Sequence, residues 1–244
     1  EVAKTKSALF SYLGKEGTAF INMDDPYISK MTIPCNGVEY SFTKPADYQG
    51  SWSSDCKILT VNNIAINLSS PSETMGMNAL AVFSIAAHLG MDTHVIKTQI
   101  ESFQLPSGRG NILQFQNIMV INDSYNANLE SARTGINNLT SLSEGNRKIA
   151  VIGDMLELGE LEKDHHQTLG KYLSEKKVDA VFAFGELTRH TIQAMNGAAM
   201  FHQYYDDKVN LLTDLKAFIS EGDIIYVKGS RGMKMEEIIT GLQD

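Results

Sequence analysis

The chain has no apolar run approaching the ~20 residues that a membrane-spanning helix needs. It also has no surplus of basic residues: 21 Lys and Arg stand against 29 Asp and Glu, a net charge of -8. The first absence excludes a helical membrane protein. The second argues against general nucleic-acid binding, which needs a concentrated basic face rather than scattered cations. Cysteine is nearly absent, with Cys35 and Cys56 alone among 244 residues, and their spacing matches no metal-ligand pattern. Two free thiols in a reducing cytoplasm are the expectation, with one disulfide between them as the alternative. The N-terminus lacks an initiator Met, a basic-then-apolar signal peptide and a transit-like segment. Residues 1–13 instead read as helix, because Val2, Leu9, Phe10 and Leu13 fall near helical spacing and Gly14 can stop it. A chain opening inside a helix is expected to be cut from something longer. No internal repeat or low-complexity tract occurs.

What is present suits a globular chain with a real core: hydrophobic residues make up 43% and charged residues 20%. The length allows one large domain or two ordinary ones. After the first helix, residues 17–22 read as a short strand ending at Asn22-Met23-Asp24-Asp25-Pro26. Residues 27–70 are poor in helix signals, with short strands expected at 57–61 and 64–68. Residues 70–90 predict a helix, with Ser72 as cap and Gly90 at its end. Its apolar residues (Leu80, Val82, Phe83, Ile85, Ala86, Leu89) run almost all round, so burial is expected.

The cluster Gln104-Leu105-Pro106-Ser107-Gly108-Arg109-Gly110 marks a boundary, which divides the chain into 1–106 and 107–244. Beyond it, strand-like runs at 118–121, 149–152, 181–184 and 224–227 alternate with helix-like segments near 130–141, 163–176, 186–195, 207–220 and 233–242. Strands alternating with helices at this spacing predict βαβ units, hence an α/β fold with a mostly parallel sheet covered on both faces. Ligands bind such sheets at the carboxyl ends of the strands.

Polar clusters fall at three of those ends: Asn122-Asp123-Ser124-Tyr125-Asn126-Ala127-Asn128, then Gly153-Asp154-Met155 with Glu157-Leu158-Gly159, then Lys228-Gly229-Ser230-Arg231. Any one of them could be ordinary turn and cap chemistry; three at equivalent ends of one sheet point to a site. The Asp123 carboxylate could accept from ribose hydroxyls. Asn126 and Asn128, each with a donor and an acceptor, suit peptide or base edges. Lys228 and Arg231 supply cationic donors for a carboxylate or phosphate, and Arg109 could reach a phosphoryl group from the boundary.

The 122–128 run resembles the Asp-Asp-Ser-Tyr-Asn-Ala-Asn-Pro signature of the Mur ligase family, in its MurF type. Gly153-Asp154-Met155-Leu156-Glu157-Leu158-Gly159 is similar to that family's Gly-Asp-Met-x-Glu-Leu-Gly segment, with His166 and Gly170 following at the family's distance. Lys228-Gly229-Ser230-Arg231 followed by Met235-Glu236 resembles its C-terminal element, Asn78-Ala79-Leu80-Ala81 its Asn-Ala-Leu-Ala helix, and 22–26 its Asn-x-Asp-Asp-Pro strand end. The resemblance is strong over 104–244, recognisable at 1–26 and 71–90, and thin over 27–70.

The resemblance implies that residues 1–106 are the C-terminal part of a central ATP-binding domain and 107–244 a Rossmann-like C-terminal domain. It implies an ATP- and Mg²⁺-dependent, cytoplasmic ligase of peptidoglycan precursor synthesis, monomeric at full length. Such an enzyme joins D-Ala-D-Ala to UDP-MurNAc-tripeptide through an acyl phosphate. It implies Lys6, carbamylated so that it offers oxygen ligands to the metal, and His166 as catalytic residues; by spacing alone, Lys6 reads as an ordinary solvated helix lysine. Asn78, Arg109, Asp123, Tyr125 and Asn126 would contact the nucleotide. Asn128, Asp154, Lys228, Ser230 and Arg231 would line the substrate side.

Four features depart from the family pattern. Asn122 replaces the first Asp, Leu129 replaces the Pro, and Thr74 stands where a His precedes Asn-Ala-Leu-Ala. No Gly-x-x-Gly-Lys-Thr phosphate loop occurs in the 244 residues, so the chain by itself is expected to be inactive. Another Mur-superfamily amino-acid ligase, or a non-catalytic nucleotide- or peptide-binding module, are the alternative readings.

Overall fold

The structure, a computed structural model, describes residues 2–70, 72–142, 145–195 and 200–243, with the side chains of Val2, Ala3, Lys4 and Lys6 outside that description. It forms two compact units, Glu1–Gln104 and Leu105–Asp244.

The first unit runs α1 (Val2–Ser11), β1 (Thr18–Asn22), β2 (Asn36–Ser41), β3 (Tyr48–Ser53), β4 (Ile58–Val61), β5 (Ile64–Asn67), α2 (Glu73–His88) and α3 (Thr93–Ser102). Its strands lie in sequence order, parallel from β1 to β3 and antiparallel from β3 to β5. The β4–β5 hairpin closes on Asn62 and Asn63, both left-handed at φ 49° and 64°, the two-residue turn whose twist matches paired strands. Leu59, Ile66, Leu80 and Phe83 are fully buried where α2 covers this sheet. Beyond the end of β1, the Asp24 carboxylate accepts from Ser41 Oγ at 2.6 Å and Phe42 N at 2.6 Å, which ties the ends of β1 and β2 together. Burial raises its pKa, but the hydrogen bonds from Ser41, Thr43 and the Phe42 amide outweigh that and leave it lowered.

The second unit runs β6 (Asn111–Phe115), β7 (Ile118–Asp123), α4 (Leu129–Ser141), β8 (Lys148–Gly153), α5 (Glu162–Lys176), β9 (Ala180–Phe184), α6 (Thr188–Ala194), β10 (Phe201–Tyr205), α7 (Lys208–Phe218), β11 (Ile224–Lys228) and α8 (Glu236–Gln243). The sheet order is β10-β9-β8-β11-β7-β6, parallel throughout except for the antiparallel edge strand β6. Period-two alternation sorts the strand residues onto two cores. Ile121, Ala150, Ile152, Val181 and Tyr226 pack with Ile136 and Leu139 of α4 and Leu169 and Leu173 of α5. Val120, Ile149, Val151, Phe182 and Val227 pack on the other face with Leu211 and Leu215 of α7 and Ile238 and Ile239 of α8. Each fully buried Val, Ile, Leu or Phe among them contributes about 1.5–3 kcal/mol.

The last strand, β11, inserts between β7 and β8. That insertion places the three polar strand ends side by side, with Lys228 opposite Asp123 on one side and Ile152 on the other.

Several expectations need correction. The α2 helix is not buried all round: Val82 is 52% exposed and Leu89 73%, so only the face carrying Leu80 and Phe83 meets the sheet. Ser72 stands at the α2 N-cap without a side-chain capping bond. Helix α3 and strands β2, β3, β6 and β10 were not anticipated. Cys35 and Cys56 are free, as expected. His88 packs edge-on to Phe20 at 5.5 Å, a structural contact. No helix among the described residues is long and apolar enough to cross a membrane.

Candidate functional site

The site is built from the segment after β7, the segment after β11 and the loop preceding β6. The loop is fixed first. Gly108 takes φ +82°, a conformation that L side chains rarely adopt, and a Cβ there would also meet the Tyr125 amide at 3.1 Å. Tyr125 N donates to Gly108 O at 2.9 Å and Gly110 N to Asn122 O at 2.7 Å. Arg109 is therefore carried on a loop pinned at both neighbours to the end of β7.

The ends of β7 and β11 carry a largely buried ion pair. Lys228 Nζ donates to Asp123 Oδ2 at 2.6 Å and to Asn126 O at 3.0 Å, and its side chain is only 3% exposed. Tyr226 donates its hydroxyl to the same Oδ2 at 2.9 Å. Burial, followed by the Asp123 charge, holds the Tyr226 phenol well above its ordinary pKa, so it remains a donor. Gly135 of α4 makes room for that phenol, since a Cβ there would collide with the hydroxyl oxygen. Among the described residues Asp123 Oδ1 carries no hydrogen bond, and the Asp123 side chain is 23% exposed. One carboxylate oxygen is thus anchored and the other has no hydrogen bond among the described residues.

The same strand ends carry an exposed cationic–aromatic group. The Arg109 guanidinium carbon sits 4.0 Å from the centre of the Tyr125 ring, and that of Arg231 sits 5.6 Å from it. Arg231 has Glu236 at 3.7 Å, a loose pair with both side chains well exposed.

The remaining predicted residues are hydrogen-bonded within the unit. Ser230 Oγ accepts from Leu156 N at 2.8 Å, while its amide donates to Asp154 O at 3.0 Å, stitching the ends of β8 and β11 together. Asp154 is buried, and its Oδ1 accepts the Thr188 amide at 2.9 Å at the start of α6. Desolvation raises its pKa against those amide bonds. His166 is fully buried. Its Nε2 accepts from Met155 N at 3.1 Å, which leaves the proton on Nδ1 to bond Glu162 O at 2.7 Å. Burial pushes its pKa down.

Several residues read as ligand contacts also have partners inside the protein. His166, read as catalytic, has both nitrogens occupied inside the protein. Lys228, Ser230 and Asp154, read as substrate contacts, are buried and engaged. Asn128, also read as a substrate contact, caps α4: its side chain accepts Ser131 N at 2.8 Å in a capping box. Asn126 is exposed, with its Oδ1 on the Ala127 amide at 2.9 Å. Asn78 is exposed on α2 of the first unit. The Lys6 side chain lies outside the described residues, although its backbone is in α1. Among the described residues no group of three or more His, Cys, Asp or Glu could hold a metal ion. Tyr226 was not anticipated. A lone hydroxyl in the apolar run Ile224-Ile225-Tyr226-Val227 was the available signal, because a buried phenol needs a partner.

The family model for the Mur ligase glutamate ligase domain matches residues 108–231. The UDP-N-acetylmuramoyl-tripeptide–D-alanyl-D-alanine ligase of Bacillus subtilis (strain 168) is 29% identical to this chain over 99% of it and 54% of the relative. That of Escherichia coli (strain K12) is 28% identical over 100% of this chain and 56% of the relative. A crystal structure of MurF from Acinetobacter baumannii matches with a TM-score of 0.84 at 22% identity, covering 99% of this chain and 55% of that one. The MurF ligase from Thermotoga maritima, solved in complex with ADP, matches at 0.81 and 21% identity, covering 99% and 56%. At such identities the structural likeness shows the fold. The chain spans about half the length of the curated relatives it matches.

Proposed function

Because this chain belongs to the Mur ligase family through its glutamate ligase domain, we propose that it is part of an ATP-dependent ligase of the MurF type. The proposed reaction joins D-Ala-D-Ala to UDP-MurNAc-tripeptide through an acyl phosphate, in the cytoplasm, as a step of peptidoglycan precursor synthesis. On this reading residues 1–106 are the C-terminal part of the central ATP-binding domain and 107–244 the C-terminal domain. The observation that carries the reading is the pair of exposed guanidiniums beside the Tyr125 ring, two residues along the chain from an Asp123 carboxylate with one oxygen unoccupied.

The chemistry fits a nucleotide and its reacting phosphoryl group. Arg109 supplies planar, always-charged donors for phosphate oxygens. Asp123 Oδ1 can accept a ribose hydroxyl, while Lys228 and Tyr226 keep Oδ2 from turning away. Arg231, on the far side of Tyr125 from the β6 loop in sequence, supplies a second cation for phosphoryl or carboxylate charge. Mg²⁺ belongs to the same reading: bound metal would neutralise phosphate charge, with carbamylated Lys6 as the proposed ligand. Asn78 and Asn126 are assigned to the nucleotide, and Asn128 to the substrate side through its amide nitrogen. His166, Asp154, Ser230 and Lys228 act as supports that hold these groups.

The test is phosphate release by the full-length protein carrying these residues. Release requiring ATP, UDP-MurNAc-tripeptide and D-Ala-D-Ala together supports the reading. Release with a different amine in place of D-Ala-D-Ala would move the protein to another Mur-superfamily ligase. The 244 residues alone, which contain no Gly-x-x-Gly-Lys-Thr loop, are expected to release none.

A further inference from the structure

Two like-charged guanidiniums close to one ring need an explanation, because exposed cations repel and separate unless something holds them. We propose that Tyr125 is a positioning residue whose ring holds Arg109 and Arg231 as one paired clamp for a single phosphoryl-bearing anion. The ligand class rests on the nucleotide reading above; the ring-held pair itself does not.

The geometry points this way on several grounds. The guanidinium carbons lie 4.0 Å and 5.6 Å from the ring centre, both within the range over which an aromatic face attracts a cation. They can therefore be no farther apart than the sum of those two distances, close enough to share one ligand. Each arginine is also delivered by its own anchor. Arg109 rides the loop pinned by the Tyr125 amide on Gly108 O at 2.9 Å. Arg231 follows Ser230, which is locked to Asp154 O at 3.0 Å and to Leu156 N at 2.8 Å. The ring is where these two separately anchored segments meet.

The local charge leaves room for an anion. Asp123 is already paired with Lys228 at 2.6 Å, so Glu236, at 3.7 Å from Arg231, is the one carboxylate paired with either guanidinium among the described residues. Two cations against one loose carboxylate leave a positive surplus. The Tyr125 hydroxyl makes no hydrogen bond among the described residues, and the residue is 42% exposed. The ring, not the hydroxyl, makes the contacts, so phenylalanine should serve as well.

Two measurements on the 244-residue chain test this. The first is the NMR ring-current shift of the Arg109 and Arg231 side-chain methylene protons. Upfield shifts are expected in wild type and Tyr125→Phe and should vanish in Tyr125→Leu. The second is pyrophosphate and ADP affinity. Tyr125→Phe should stay within about twofold of wild type, and Tyr125→Leu should weaken by about tenfold, as loss of one to two kcal/mol of cation–π attraction implies. Melting temperatures of the variants should agree closely, since the ring is exposed. Unshifted arginine resonances in wild type, or a Tyr125→Phe variant as weak as Tyr125→Leu, would overturn the positioning role. Normal ring-current shifts with no pyrophosphate or ADP binding by the full-length protein carrying these residues would overturn the ligand class and, with it, the nucleotide reading.

Discussion

The two ends of the second unit's sheet treat charge differently. At the amino end, Arg147 grips Asp223 through Nε at 2.9 Å and Nη2 at 2.6 Å, and the same Nη2 also donates to Phe218 O at 3.0 Å. That cation and carboxylate satisfy each other, and the Asp223 side chain is 3% exposed. At the carboxyl end Lys228 is paired with Asp123 through Oδ2 alone, and Arg109 and Arg231, gathered at Tyr125, have a single loose acidic partner. The amino-end pair uses up its own charges, whereas the carboxyl end keeps a cationic surplus. Around it, the buried polar groups His166, Ser230 and Asp154 are hydrogen-bonded within the unit.

The sharpest way to break this contrast is to remove a closed charge. Lys228→Met should cost about 3 kcal/mol of stability, because it strands the Asp123 carboxylate in a largely buried position. Denaturant midpoints would measure it, and a change under 1 kcal/mol would deny Lys228 its supporting role. Asp223→Ala should cost somewhat less, about 2 kcal/mol, since Arg147 is 39% exposed and can be rehydrated. This loss should leave ligand affinity alone, as it acts at the opposite end of the sheet.

His166 gives a pH signature. Burial holds its pKa below the ordinary value of 6.5, so folding favours the neutral ring. The stability this contributes is complete above about 6.5 and is lost as pH falls through the lower folded value. Protonation would also put a hydrogen on Nε2, where the Met155 amide now donates. Stability measured from pH 7 to pH 4 should therefore fall less steeply in His166→Gln than in wild type. Parallel slopes would show that another group governs acid sensitivity. The smallest stability effect is expected for Arg231→Ala, within about 0.5 kcal/mol, because its ion pair is exposed.

The contrast also explains what was legible in the sequence. Strands β7, β8 and β11 announced themselves as apolar runs ending in polar residues, because they are central and buried on both faces. Edge strands β6 and β10 did not, since Asn111-Ile112-Leu113-Gln114-Phe115 and Phe201-His202-Gln203-Tyr204-Tyr205 mix polar residues into half-exposed positions. Helix α3 carried a readable signal: Asp92 caps it by accepting from the amides of His94 and Val95, and Ile96 and Ile100 form its buried stripe. The all-apolar reading of α2 failed because residue type alone does not say which face a neighbour covers.

The same limit applies at the candidate site. Spacing and family resemblance brought Asp123, Tyr125, Lys228 and Arg231 to the same strand ends, which is where they lie. Residue type could not separate groups already satisfied inside the protein from groups left open. His166 and Ser230 have the same donors and acceptors in either role; only burial and partners distinguish the two.

The most direct test of the open-cation site is ADP affinity of the 244-residue chain at low salt, wild type against Arg109→Ala, by titration calorimetry. A charge-assisted bond to phosphate is worth about 1.5–3 kcal/mol, so the variant should bind at least about tenfold more weakly while melting at the wild-type temperature. Equal ADP affinity in the two proteins would contradict the assignment of Arg109 to the phosphoryl group, and with it the division between supporting and binding charges at these strand ends.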